Sequence, residues 1–185
     1  ELALLGAQEQ GPEISKNTAL SKALGEVMDC LKDAEREIRV LSYLLHPPAI
    51  GSQDLAAVLR NFAVGFGGRA GVADDVSIDS KVNHVPQRLA IPILRICQEA
   101  LTNVYRHAKA LAVTVKLDVC DNAVELLIAD DGIGFDPIKV ASDMRWGVGL
   151  WGMCERIERL GGTFKISSKQ GTQLTVVLPL AEPAA

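Results

Sequence analysis

The stretch QEALTNVYRHA (Gln98–Ala108) decides how this chain is read. It lies inside Val85–Ala110, which is expected to form one long helix, with Pro92 in its first turns where a missing N–H is tolerated. At about 100° per residue, Ile93, Cys97, Ala100, Leu101, Val104 and Ala108 share an apolar side, while Arg95, Glu99, Asn103, Arg106 and His107 share the opposite one. Glu99 and Asn103 are one turn apart, so a carboxylate and an amide oxygen converge on one point, with Arg106 a turn further on. Oxygen donors of this kind suit Mg²⁺, which rarely receives a full protein cage and relies on water and substrate phosphates. Alone, such a polar face reads first as solvated helix surface. A ligand site needs a second element.

That element is ADDGIGFD (Ala129–Asp136), where the apolar strand VELLIA runs straight into Asp130. Gly132 and Gly134 let the backbone turn close to a ligand where a Cβ would clash. Asp130 at the strand end is suited to accept a hydrogen bond from an exocyclic amine such as that of adenine, although an acidic hairpin turn gives the same letters. A dozen residues later, in WGVGLWGMCER (Trp146–Arg156), Gly147, Gly149 and Gly152 precede an amphipathic helix. Glycines before a helix N-terminus expose backbone N–H groups to phosphate. The spacing is neither a Walker A loop nor a Rossmann fingerprint, since there is no GK[ST] and no strand leads into it. Asp136–Arg145, between the two glycine motifs, reads as a mobile lid. Thr172, after Gly171 at the start of the last strand, brings a hydroxyl near the base or is an ordinary turn threonine.

Around these motifs, a helix is expected near Ser52–Phe66, a first strand in GVADDVSIDS, and strands in VTVKLDVCD and AVELLIADD joined by a hairpin at Asp121-Asn122. A helix over LWGMCERIERLGG then leads to strands TFKISS and QLTVVLPL, joined around Gly171. Strands grouped with helices that cover one face predict an α+β fold, a two-layer sandwich with a mixed sheet. Ahead of it, Leu20, Leu24, Val27, Leu31, Ala34, Ile38, Leu41 and Leu45 alternate by fours and threes, an a/d seam on a long helix over about 17–46. Such a seam suits a bundle or dimer better than a helix lying on its own domain. Ser15 or Asn17 is the expected N-cap, after the turn EQGPE, with ELALLGA the tail of a preceding antiparallel helix. Pro47 and Pro48 end the long helix. The domains expected are therefore 1–48, a partial helical hairpin, and 49–182.

A net charge of −4 over 185 residues argues against nucleic acid as the partner, because that binding needs a basic surface. No apolar run approaches the roughly 20 residues that span a bilayer, so no membrane contact is expected of the chain. Its four cysteines are scattered without a CxxC pair, which fits reduced thiols in a cytoplasmic setting and no structural zinc. The chain opens on ELALL without an initiator Met and is expected to be a piece of something longer.

QEALTNVYRHA, DDGIGF and GVGLWGM resemble, in order and spacing, the N, G1 and G2 boxes of the ATPase fold shared by sensor histidine kinases, Hsp90-type chaperones, type II topoisomerases and MutL proteins. More narrowly, EIRVLSYLLHPP, RICQEALTNVYRHA and GVGLWGMCERI look like the sensor histidine kinases whose response regulators carry helix-turn-helix (LuxR-type) output domains. The resemblance implies ATP and Mg²⁺ as cofactors, Asn103 as metal ligand, and Glu99 supporting the metal or its water. It implies Asp130 on the adenine amine, Gly132 and Gly134 shaping that pocket, and Thr172 joining Asp130 on the adenine side. Arg106 and His107 would lie near the phosphates, and Gly147, Gly149, Leu150 and Gly152 would border the lid and phosphate tail. It further implies a parent that forms a homodimer through the heptad helix and passes phosphate from its own histidine to a response-regulator aspartate. That histidine lies on the first hairpin helix, followed by an acid; His46 sits at the end of what resembles the second, with Pro47 where the acid belongs. His46 is accordingly expected to be structural, favourably placed at a helix C-terminus. The phosphoacceptor helix would lie upstream of this chain, which is then unable to autophosphorylate in cis. Two other readings are a serine kinase of the same fold acting on an anti-sigma antagonist, and a nucleotide-gated interaction module without phosphotransfer.

Overall fold

The computed structural model describes residues 11–46, 48, 54–135 and 148–182. They form two compact units, Glu1–Arg39 and Val40–Ala185, so the division falls inside the long helix α1 (Gly11–Leu45) rather than at the two prolines. Helix α1 starts earlier than expected. Ser15 and Asn17 lie within it rather than at its N-cap, and Pro12 sits in the first turn, where its missing N–H has no helical partner to lose. ELALLGA lies outside the described residues.

The heptad seam is open to solvent over most of its length: Leu24, Leu31 and Ile38 are 57%, 59% and 69% exposed. The last two turns carry a second stripe that the heptad reading passed over. Val40 and Leu44 are fully buried in the core of the second unit. Between them, Tyr43 stacks on Phe62 with ring centroids 5.3 Å apart and lies under the Arg69 guanidinium at 4.1 Å. Its hydroxyl is 3.1 Å from the carbonyls of both Asn61 and Phe62. Gly65 makes this approach possible, since a Cβ there would overlap the Tyr43 hydroxyl. His46 follows the helix, and its Nδ1 donates to the Ser42 carbonyl at 3.0 Å, satisfying one of the acceptors a helix end leaves over.

In the second unit, α2 (Leu55–Ala70) precedes β1 (Ala73–Ile78), and a short 3₁₀ turn, Ser80–His84, leads into α3 (Gln87–Asn103). The side chain of Asp54 does not cap α2; Asn83, from the 3₁₀ turn, does so instead by accepting from Ala56 N at 2.9 Å. Strands β2 (Ala112–Cys120) and β3 (Ala123–Asp130) follow, then α4 (Val148–Arg159), β4 (Thr163–Lys169) and β5 (Gly171–Pro179). The sheet order is β1-β2-β3-β5-β4, with β1 and β2 parallel and every other pair antiparallel. The β2–β3 turn contains Asp121 at φ 51, the left-handed conformation that Asp and Asn tolerate best among residues with a Cβ.

Strand periodicity turns one face of this mixed sheet inward. Val113, Val115 and Leu117 of β2, Val124, Leu126 and Ile128 of β3, and Leu174, Val176 and Leu178 of β5 are all buried. They meet the apolar faces of α2, α3 and α4, including Phe62, Phe66, Ile93, Ile96, Met153 and Ile157. The architecture is the α+β two-layer sandwich the sequence predicted. The helix through Val85–Ala110 departs from expectation: α-helical geometry ends at Asn103, a π-helical turn spans Val104–Ala108, and Lys109 closes it at φ 52. Such widened turns occur mostly as single turns and often at functional sites.

Candidate functional site

The sheet register explains why one end of β3 carries chemistry. Asp130 pairs with Val113 on β2 and with Thr172 on β5, and Thr172 pairs with Ser168 on β4. Because side chains alternate, Asp130 shares the inward face with Ile128 and Leu126, and Thr172 shares it with Leu174. The buried face thus ends in a row of three polar side chains. Above that row, α3 and the π-helical turn contribute Glu99, Asn103 and His107.

Between the two layers lies a cavity of about 480 Å³, within the range of small-molecule sites. Glu99, Asn103 and His107 line it from the helix side, and Asp130, Gly134 and Thr172 from the sheet side. Gly149 and Leu150, at the start of α4, close it further, and Ala100, Val104, Ala108, Ile128, Phe135 and Leu174 supply apolar wall. Of the residues singled out from sequence, Arg106, Gly132 and Gly152 do not line it. The broader π-helical turn advances less per residue than an α-turn, so His107 stays beside Asn103 while Arg106 is exposed and off the cavity. Gly152 lines a separate depression with Pro92 and Arg156, and among the described residues nothing stands within 4 Å of where its Cβ would be. Gly147 and the lid segment Asp136–Arg145 lie outside the described residues.

Local hydrogen bonds hold the sheet end in place. The Asp130 Oδ1 accepts from Gly132 N at 2.9 Å, which orients its carboxylate. Gly132 lies against the π-helical turn so closely that a Cβ would overlap the Ala108 carbonyl, and the next residue, Ile133, donates its N–H to that same carbonyl at 2.8 Å. Asp131 points elsewhere: its Oδ1 accepts from Leu111 N and Ala112 N, both at 2.8 Å. Those two backbone donors, Ala112 first, hold the Asp131 carboxyl below the usual carboxylate range. At the helix end, Gly149 sits against the Glu99 carboxylate, and a Cβ there would overlap Glu99 Oε1. Gly132 is therefore required by close approach to backbone atoms, without any left-handed conformation, whereas the Gly149 contact is with the end of a flexible side chain.

Sequence reasoning missed Ser168. Its Oγ accepts from Phe135 N at 2.8 Å, donates to Gly171 O at 3.0 Å, and lies 3.2 Å from Thr172 Oγ1. The only signal available was its place four residues before Thr172, which becomes meaningful once the β4–β5 hairpin register is known. Ala100, Val104 and Ala108 were read as core side of the helix; they are buried and also form the apolar wall.

Several characterised proteins are similar to this chain. The sensor histidine kinase MctS of Rhizobium johnstonii is 33% identical over 153 residues, which cover 82% of this chain and 33% of that protein. The oxygen sensor histidine kinase NreB of Staphylococcus carnosus is 30% identical over 185 residues, or 98% of this chain and 51% of that protein. The chain spans only about a third to a half of these two relatives. Among solved structures, the histidine kinase domain of a blue-light activated histidine kinase from Erythrobacter litoralis shares the fold, with a TM-score of 0.57 at 22% identity, over 79% of this chain and 74% of that one. Residues 89–182, just over half of the chain, match the family described as Histidine kinase-, DNA gyrase B-, and HSP90-like ATPase. With the cavity between α3 and the sheet bounded by the motifs of that ATPase, the chain belongs to this family, in its sensor histidine kinase branch.

Proposed function

We propose that the cavity binds Mg-ATP and that the second unit presents the γ-phosphate to a histidine on a helix upstream of this chain. The observation that carries the proposal is the meeting in one space of Glu99 and Asn103 from α3 with Asp130 and Thr172 from the sheet end. The Asp130 carboxylate, held by Gly132 N, accepts from the adenine amine, and the apolar wall of Ala100, Val104, Ile128 and Leu174 takes the flat faces of the base. Glu99, Asn103 and His107 lie on the side where the phosphates would extend.

Among the described residues no group of three His, Cys, Asp or Glu side chains is placed to hold a metal ion. One carboxylate and one amide oxygen suit Mg²⁺, which completes its octahedron with water and phosphate oxygens. Asn103 would ligate the ion and Glu99 would hold a ligating water. When bound, the ion supplies charge neutralisation on the β- and γ-phosphates, the main requirement of phosphoryl transfer. The Glu99 carboxylate lies against the backbone at Gly149, so the start of α4 adjoins the metal side of the site.

The transfer itself belongs to the longer protein. In this proposal residues 1–48 retain part of a dimerisation hairpin and 49–182 form the ATP-binding domain. The exposed heptad stripe of α1 supports pairing with a second copy in the parent. The Nδ1 bond of His46 to Ser42 O supports its structural role, because that nitrogen is occupied by the helix end. The phosphate would pass to an aspartate of a response regulator of the LuxR-type, helix-turn-helix class, in the cytoplasm.

The test is incubation with ATP labelled at the γ-phosphate, alone and with a separately supplied upstream helix carrying the histidine, followed by alkaline work-up. Label on the added helix only, abolished by Asn103→Ala, is the expected result. Label on this chain at His46 contradicts the assignment of the phosphoacceptor, and ATP binding without label anywhere supports a nucleotide-gated module instead.

A further inference from the structure

The hydroxyl of Ser168 can make three hydrogen bonds, one as donor and two as acceptor. The structure occupies all three. The Gly171 carbonyl, 3.0 Å away, can only accept, so the single Ser168 proton goes there. The Phe135 N–H, 2.8 Å away, can only donate, so it takes one Ser168 lone pair. Thr172 Oγ1, 3.2 Å away, is then left with one role towards Ser168, that of donor. The Thr172 proton is thereby consumed, and only its lone pairs remain for the cavity that it lines.

Beside it, Asp130 is an acceptor as a carboxylate, with Oδ1 already taking the Gly132 N–H. The base end of the cavity therefore offers two acceptors side by side on paired positions of β3 and β5. An exocyclic amine has two N–H donors and can satisfy both; a base without the amine leaves both acceptors desolvated without a donor. Such a mismatch against a polar pocket discriminates far more strongly than a missing methylene in an apolar one. The arrangement is sterically tight, because a Cβ on Gly134, at φ 64, would stand 2.9 Å from Ser168 Oγ and 2.9 Å from Gly171 O.

We propose that Ser168 is a positioning residue for base selection: its three hydrogen bonds hold Thr172 as an acceptor next to Asp130, so the cavity selects purine nucleotides that carry an exocyclic amine. This rests on the reading of the cavity as the nucleotide site. Ser168 does not touch the base and acts through Thr172.

The test compares the affinity for ATP with that for purine riboside 5′-triphosphate, the same nucleotide without the amine, by calorimetry. In Ser168→Ala the Thr172 proton is released and its hydroxyl turns, so the preference for ATP falls by about five- to tenfold, the worth of one hydrogen bond. Ser168→Thr keeps the hydroxyl and keeps the preference. Ser168→Cys fills the same space with a weak hydrogen-bonding group and lowers the preference like the alanine, which reads the effect in a variant that packs as wild type does. Equal loss of both affinities in Ser168→Ala and Ser168→Cys, leaving their ratio as in wild type, overturns the inference, because a purely structural role moves both alike. Failure of the wild-type chain to bind ATP at all would instead refute the nucleotide site itself, so the two failures are distinct.

Discussion

Replacing Gly132 by alanine isolates the contact that joins the sheet end to the π-helical turn. Gly132 has no positive φ, so alanine meets no backbone strain there and the cost is steric alone. The added Cβ would stand 2.8 Å from both the carbonyl carbon and the Cβ of Ala108, with the carbonyl oxygen nearer still. These are backbone or near-backbone atoms of a buried residue and have no rotamer by which to yield. Forcing a methyl group into such a contact costs about 1–3 kcal/mol. The separation it demands also breaks the 2.8 Å bond from Ile133 N to Ala108 O, adding about 1 kcal/mol. The sum, about 2–4 kcal/mol, corresponds to a fall in Tm of about 4–16 °C at 2–4 °C per kcal/mol. Denaturant and thermal unfolding measure it, with Gly68→Ala as control. Gly68 lies in α2 with nothing among the described residues within 4 Å of its would-be Cβ, so alanine there stabilises by about 0.5–1 kcal/mol. A Gly132→Ala protein that melts with wild type or above it would refute the close approach and the site geometry built on it.

Three further outcomes follow from the same contacts. The Asp131 carboxyl is held below its ordinary value of 3.8 by backbone N–H groups of Ala112 and Leu111; its contribution is fully present above that value and is lost as pH falls through the lowered one. Asp131→Asn removes that component, so the difference in unfolding free energy between wild type and variant narrows as pH drops below about 4. Burial pushes the Cys97 thiol up to about 12, whereas Cys30 and Cys120 are exposed. Iodoacetamide at pH 8 labels the two exposed cysteines in the folded protein and reaches Cys97 only after unfolding, as peptide mass spectrometry would show. Tyr43→Phe keeps the stack on Phe62 and loses the hydroxyl bonds to Asn61 O and Phe62 O, at a cost of about 0.5–1.5 kcal/mol by urea unfolding.

The elements of the second unit were legible because each announces itself within a dozen residues. Alternation in AVELLIADD gives β3, and the apolar spacing from Ile93 to Val104 gives α3. Asp130 and Thr172 were legible as candidates from a strand end and a glycine, but their pairing was not. Register is settled by which faces are buried across a whole sheet, and nothing local to either strand states it. Arg106 shows the limit of a fixed helical period: an angular count at about 100° per residue puts it with Asn103, and the π-helical turn takes it away. Val40 and Leu44 show the limit of a single stripe, since the heptad pattern on α1 masked a second one whose residues belong to the core of the second unit. The start of α1 at Gly11 shows a proline that reads as a turn serving as a first-turn residue.

The most direct test of the nucleotide site is calorimetric titration of Mg-ATP into the wild-type chain and into Asp130→Asn. Asparagine keeps the shape of the side chain and can still accept from Gly132 N, while it loses the charge that strengthens a hydrogen bond to an amine. Binding by wild type, weakened about ten- to a hundredfold in Asp130→Asn, is the result expected for loss of one charge-assisted hydrogen bond. Equal affinity of the two proteins for Mg-ATP, or no binding by wild type, would contradict the placement of adenine at the sheet end.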